Sequence, residues 1–175
     1  NDTPTGTASM RLILNVGSFA EDEDQRGLAH FIEHMAFNGT TNVPEGEMVT
    51  LLERYGLEFG PDTNAFTSQE VVGYQLDLPS NEEDLINIGL FLLRESASEI
   101  VFDADAIDRE RGVVLGEMRF RDTPVNRYFE AFYDFHYPDT IITDRMPIGT
   151  TEVITTAQPE QFQRYYDEYY VPERA

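Results

Sequence analysis

The 175 residues carry 41% apolar and 12% aromatic side chains, enough for one folded domain with its own core and too much for a disordered chain. With 33 acids against 12 bases the formal net charge is −21, which argues against a nucleic-acid partner, whose phosphates need clustered Lys and Arg, and leaves a solvated, repulsive surface. Cysteine is absent, so disulfides, thiolate metal sites and cysteine nucleophiles are excluded, and no stretch approaches the ~20 apolar residues that span a bilayer.

Met10, Leu12, Leu14 and Val16 alternate with other residues and predict a strand over 9–16, broken by Gly17. The run Glu21-Asp22-Glu23-Asp24 suits a loop or a helix's first turn, where acids favour the dipole. A helix follows from about Gly27 to Phe37, with Leu28, Phe31, Ile32 and Met35 as apolar contacts and Asn38-Gly39 as a left-handed cap. A second helix is expected over 45–55, with Met48, Leu51, Leu52 and Tyr55 on one side. Gly60-Pro61-Asp62 separates two extended segments, the second running from about Ala65 to Leu78. Ser80 and Glu83 have capping-box spacing and predict a long helix through Leu93. Asp103 or Asp105 caps the next helix, which carries Glu110 and Glu117. From Val125 onward the pattern is mostly helical and unusually aromatic. His136 is expected to pack in that aromatic zone, and Tyr165, Tyr166, Tyr169 and Tyr170 in the core.

These elements predict an α+β fold, a two-layer mixed sheet with helices on one face. The strands are few for so many helices and the chain opens on Asn1 rather than Met. Residues 1–175 are therefore expected to form a single domain trimmed at both ends, with terminal strands missing.

The most informative string is His30-Phe31-Ile32-Glu33-His34. Residues four apart share one helix face, so His30 and His34 can offer two imidazoles to one metal ion, with Glu33 placed to act as a base beside it. H-x-x-E-H is the inverted form of the H-E-x-x-H zinc-peptidase motif. A third ligand must come from elsewhere. Glu110 and Glu117 lie two turns apart on one helix face and are the candidates. The plainer alternative is a solvated face whose acids pair with Arg109, Arg111 and Arg119.

Three strings bring a family into view: A-H-F-I-E-H-M-A-F-N-G-T (29–40), N-A-F-T-S (64–68) followed by Tyr74, and E-R-G-V-V-L-G-E (110–117). With V-G-S (16–18), Ile148-Gly149 and Tyr170-Val171-Pro172, they resemble, in register along nearly the whole chain, the pitrilysin, insulysin and mitochondrial processing peptidase family of zinc peptidases. The wording is most similar to that of the long bacterial members with two homologous halves. The His34-to-Glu117 separation of 83 residues is a few longer than the family's usual spacing, with the excess assigned to loops such as 41–46 or 60–63.

The resemblance implies that His30, His34 and Glu117 hold one Zn2+ per chain, that Glu33 is the general base, and that Glu110 supports a ligand imidazole. It implies that Asn64, Ala65, Phe66 and Thr67 form an edge strand that seats an extended peptide substrate. It also implies a second homologous half, or partner subunit, that closes a chamber and supplies the oxyanion-stabilising groups. The function implied is a zinc-dependent metallopeptidase acting on peptides or unfolded polypeptides, in the bacterial periplasm or otherwise the cytoplasm, with this fragment inefficient alone. The alternative is a non-catalytic scaffold of the same fold, which is expected to lose motif residues that are present here. A lyase sharing the H-x-x-E-H string needs cysteine, which this chain lacks.

Overall fold

The computed structural model describes residues 5–58 and 60–175. Three strands, β1 (Ala8–Leu14), β2 (Thr63–Thr67) and β3 (Val72–Leu78), form a sheet in the order β1-β3-β2. Every pairing among them is antiparallel, so the described sheet is narrower in type than the mixed one expected from sequence. A parallel pair needs a long crossover, whereas β2 and β3 are joined by a tight turn.

The register puts Leu12 and Ala65 opposite Tyr74, and Leu14 and Thr67 opposite Val72. Cross-strand partners share a face, so these residues and Leu76 form one apolar surface. Two helices, α1 (Leu28–Met35) and α3 (Glu83–Ser98), pack on that surface. From α1, Leu28, Phe31, Ile32 and Met35 are fully buried. Burial of each such side chain is worth about 1.5–3 kcal/mol, which fixes the rotation of the helix about its axis.

On its other side α1 meets α8 (Pro159–Tyr169), with the Phe31 and Phe162 rings 4.8 Å apart edge to face. Tyr165, Tyr166 and Tyr170 are buried there, as expected, and Tyr170 shares a 2.9 Å hydrogen bond with the Tyr74 hydroxyl. The remaining helices are α2 (Glu47–Arg54), α4 (Ala104–Arg121), α5 (Pro124–His136), α6 (Ile141–Asp144) and α7 (Thr151–Thr156). Asp103 caps α4, accepting from the Ala106 amide at 3.0 Å. Among the described residues no helix is long and apolar enough to cross a membrane.

The start of α1 is fixed from two directions. Glu21 is buried, and its two carboxylate oxygens accept from the Gly27 and Ala29 amides at 2.9 Å each, satisfying donors that a helix N-terminus leaves open. Gly27 (φ +102°) also touches Gly149 (φ +72°), where an added Cβ would lie within 2.4 Å of the Gly27 Cα. This contact gives the Ile148-Gly149 pair its structural role.

Several local expectations change. The segment from Ala65 to Leu78 is a hairpin, not one strand. The Ser68 amide donates to the Val71 carbonyl, and the Ser68 hydroxyl accepts from the Val71 amide at 3.0 Å. The capping box at Ser80 does not form, because the Ser80 hydroxyl accepts from the Glu82 amide and α3 starts only at Glu83, running on to Ser98. His136 keeps aromatic company, its ring 3.9 Å from that of Phe132, but on an exposed surface. No residue of α5 is buried, and its Phe129 and Phe135 side chains are exposed.

Candidate metal centre

His30 and His34 project from one face of α1, as their spacing of four requires. Their Nε2 atoms are 3.3 Å apart. Glu117 arrives from α4, which packs across α1, and its Oε2 lies 3.4 Å from His30 Nε2 and 3.5 Å from His34 Nε2. Three donor atoms thus form a nearly equilateral triangle. Ligand atoms around a tetrahedral zinc ion, with bonds of about 2.0–2.2 Å, sit about 3.3–3.6 Å from one another. The donor set fits a metal ion of that kind, and among the described residues His30, His34 and Glu117 are the group that can hold one. His136, the third histidine, is not part of it.

The surrounding groups tune the triangle. Burial, followed by the proximity of His34, pushes the His30 imidazole down to about 4 and keeps it neutral, the form that binds metal. Burial also acts to lower His34, but the Glu110 hydrogen bond and the nearby carboxylates outweigh it and leave that imidazole raised. Glu110 Oε1 lies 2.8 Å from His34 Nδ1, so the carboxylate accepts a hydrogen bond from a protonated Nδ1 and leaves Nε2 free towards the candidate metal position. The same bond outweighs the opposing effect of burial and holds Glu110 below its ordinary value.

Two partners here were not foreseen from the sequence. Asn38 donates to Glu110 Oε2 at 2.9 Å and to the His34 carbonyl at 3.2 Å. Arg121 donates to Glu117 Oε1, the oxygen turned away from the imidazoles. Each stands four residues after the member of the triangle it touches, Asn38 after His34 and Arg121 after Glu117.

Glu33, half-buried, lines the same open cleft of about 700 Å³ as the triangle. Burial raises its carboxyl above the ordinary value, against a hydrogen bond from Thr67. Asn64, Ala65, Phe66 and Thr67, expected to seat a peptide, also line this cleft. They make up most of β2, which pairs with β3 on one side and with no described strand on the other. Asn64 and Phe66 are exposed, while Ala65 and Thr67 face α1. The Asn64 Oδ1 accepts from the Ala65 amide at 2.9 Å, and the Thr67 hydroxyl donates to Glu33 Oε2 at 2.6 Å.

Comparison with known proteins places the chain in a family. A family model for insulinase, peptidase family M16, matches residues 1–137. A probable zinc protease PqqL of Haemophilus influenzae is 35% identical over 173 residues, covering 99% of this chain and 19% of its own length. A zinc protease PQQL-like protein of Arabidopsis thaliana is 33% identical over 170 residues, covering 97% of this chain and 18% of itself. The crystal structure of the first half of the periplasmic protease PqqL from Escherichia coli matches with a TM-score of 0.94 at 32% identity, over 98% of this chain and 36% of that one. Pitrilysin shares the fold, with a TM-score of 0.80 at 21% identity, over 99% of this chain and 18% of that one. The chain therefore spans under a fifth of the length of these curated relatives. On the family match and on relatives of this identity, the chain belongs to the insulinase (M16) peptidase family.

Proposed function

We propose that residues 1–175 are the catalytic domain of a zinc-dependent endopeptidase that hydrolyses peptides or unfolded polypeptides. The observation that carries this reading is the triangle of His30, His34 and Glu117 donor atoms, 3.3–3.5 Å apart, with Glu33 lining the cleft beside it. Zinc held by those three residues supplies a Lewis acid that lowers the pKa of water and polarises a carbonyl oxygen.

Glu33 takes the proton of the attacking water and returns it to the leaving amine. Its buried setting, which raises its carboxyl, suits a group that must hold a proton between those two events. Glu110 keeps His34 in the tautomer that presents Nε2. The outer edge of β2, residues Asn64 to Thr67, seats the substrate backbone by strand addition, with the carbonyl of the incoming peptide displacing Asn64 Oδ1 from the Ala65 amide. A second half, or a partner subunit, closes the cleft and brings the groups that stabilise the oxyanion. The name of the Escherichia coli relative's structure, a first half of a periplasmic protease, supports both that arrangement and a periplasmic location.

The test is elemental analysis beside turnover of a quenched-fluorescence peptide. One zinc per chain, lost in Glu117→Gln and kept in an inactive Glu33→Gln, is the expected outcome. A well-folded chain that takes up no zinc when supplied with it would instead favour the scaffold reading.

A further inference from the structure

Among the described residues, Glu33 has one hydrogen-bond partner, the Thr67 hydroxyl at 2.6 Å. That length lies in the range of charge-assisted bonds from a hydroxyl to a carboxylate. Thr67 faces α1 because it is in register with Val72, the last pair of the β2–β3 ladder. As a β-branched residue in a strand it has few rotamers to choose from, so the backbone position largely sets where the hydroxyl points.

That backbone position is anchored from outside the hairpin. The Ser18 amide donates to the Ser68 carbonyl at 3.2 Å, and the Phe19 amide to the Gln69 carbonyl at 2.9 Å. Gly17 makes the approach possible, since a Cβ there would come within 2.3 Å of the Ser68 oxygen. The Val16-Gly17-Ser18 string thus serves as a clamp on the turn next to Thr67. The Ser18 hydroxyl in turn donates to the Arg145 carbonyl, which holds the clamp itself.

We propose that Thr67 is a positioning residue for the general base. Its hydroxyl occupies Oε2 of Glu33 and leaves Oε1 to take the proton, and the clamp of residues 17–19 on the hairpin turn keeps that hydroxyl in place. The proposal rests on the peptidase reading above. Because Thr67 belongs to the strand proposed to seat the peptide, any displacement of that strand by substrate reaches Glu33 directly.

The test compares Thr67→Val, which keeps the shape and removes the hydroxyl, with Thr67→Ser, which restores the hydroxyl, in the full zinc-loaded chain. The expected result is a kcat lowered roughly tenfold or more in Thr67→Val, with KM and zinc content unchanged and most of kcat recovered in Thr67→Ser. An unchanged kcat in Thr67→Val, or a Thr67→Ser variant no better than it, overturns the proposal. If the unaltered zinc-loaded protein hydrolyses no peptide even when its second half is supplied, the peptidase reading fails separately. The hydrogen bond is then read from the Glu33 carboxylate stretch in infrared difference spectra against Glu33→Gln. A band shifted in Thr67→Val supports the positioning contact, and a band that does not move overturns it.

Discussion

Glu110 Oε1 lies 2.8 Å from His34 Nδ1, and this pair leaves Nε2 as the nitrogen of His34 that faces His30 and Glu117. The carboxylate is itself held, because Asn38 donates to its other oxygen. Glu110→Gln keeps the size of the side chain but removes the charge that favours an Nδ1 proton. Metal affinity is expected to fall roughly 10–100-fold with the fold intact. Competition against a chromophoric chelator measures it, and an unchanged affinity would show that His34 needs no help in choosing its tautomer.

A second expectation concerns pH and the buried cap of α1. Burial pushes the Glu21 carboxyl from an ordinary 4.5 up to about 8, against the Gly27 and Ala29 amides and the charges of Arg145 and Arg26. Between those two values the folded chain keeps a proton that the unfolded chain has released. Glu21 therefore contributes stability fully below about 4.5 and loses it as pH rises towards 8. Thermal midpoints taken from about pH 5 to pH 8 should decline in the parent chain more than in Glu21→Gln. The opposite slope would mean that the two amides and Arg145 prevail over burial and keep the group ionised.

Glycines with similar backbone angles should differ sharply in their tolerance of a methyl group. Gly149 has φ +72° and its Cβ would meet the Gly27 Cα and the Arg26 carbonyl at 2.4 Å, whereas Gly46 has φ +79° with nothing within 4 Å. Gly46→Ala pays for backbone conformation alone, about 1–2 kcal/mol. Gly149→Ala adds overpacking against the start of α1, for a total of about 2–5 kcal/mol. Denaturant unfolding of the two variants checks the order, and equal losses would mean that α1 moves aside at little cost.

What the sequence made legible follows from how local the cause is. The strand of alternating Met10, Leu12 and Leu14, the helix under His30 and His34, and the Asp103 cap all rest on spacing within a few residues, and they form much as the pattern indicates. Periodicity could not separate Glu110 from Glu117, since both share a face of α4. It is the crossing of α4 over α1 that turns Glu117 Oε2 to both imidazoles and Glu110 to Nδ1. The hairpin inside 65–78 was hidden because its turn is made by the Ser68 side chain, without a Gly or Pro to mark it. The Gly27–Gly149 contact joins distant parts of the chain and leaves no local trace. In α5 composition misleads, since aromatic content reads as core while Phe135 is 80% exposed.

Removing the metal should leave the fold standing. The core, with Leu14, Phe31, Ile107, Phe162 and Tyr165 almost wholly buried, is closed by side-chain packing and not by the ligand triangle. Zinc at about 100 times its dissociation constant adds about 2.7 kcal/mol by mass action. In a domain of this size each kcal/mol moves the unfolding midpoint by about 2–4 °C, so a rise of roughly 5–11 °C is expected on adding zinc to the chelated chain. Glu117→Gln should abolish most of that rise, because it weakens the third donor. Glu33→Gln should keep it, because Glu33 lines the cleft without belonging to the triangle. Loss of the shift in both variants would make Glu33 a ligand and leave the proposed chemistry without its base. A chelated chain already unfolded at room temperature would mean that the metal is a structural staple, and the site would then belong to the core after all.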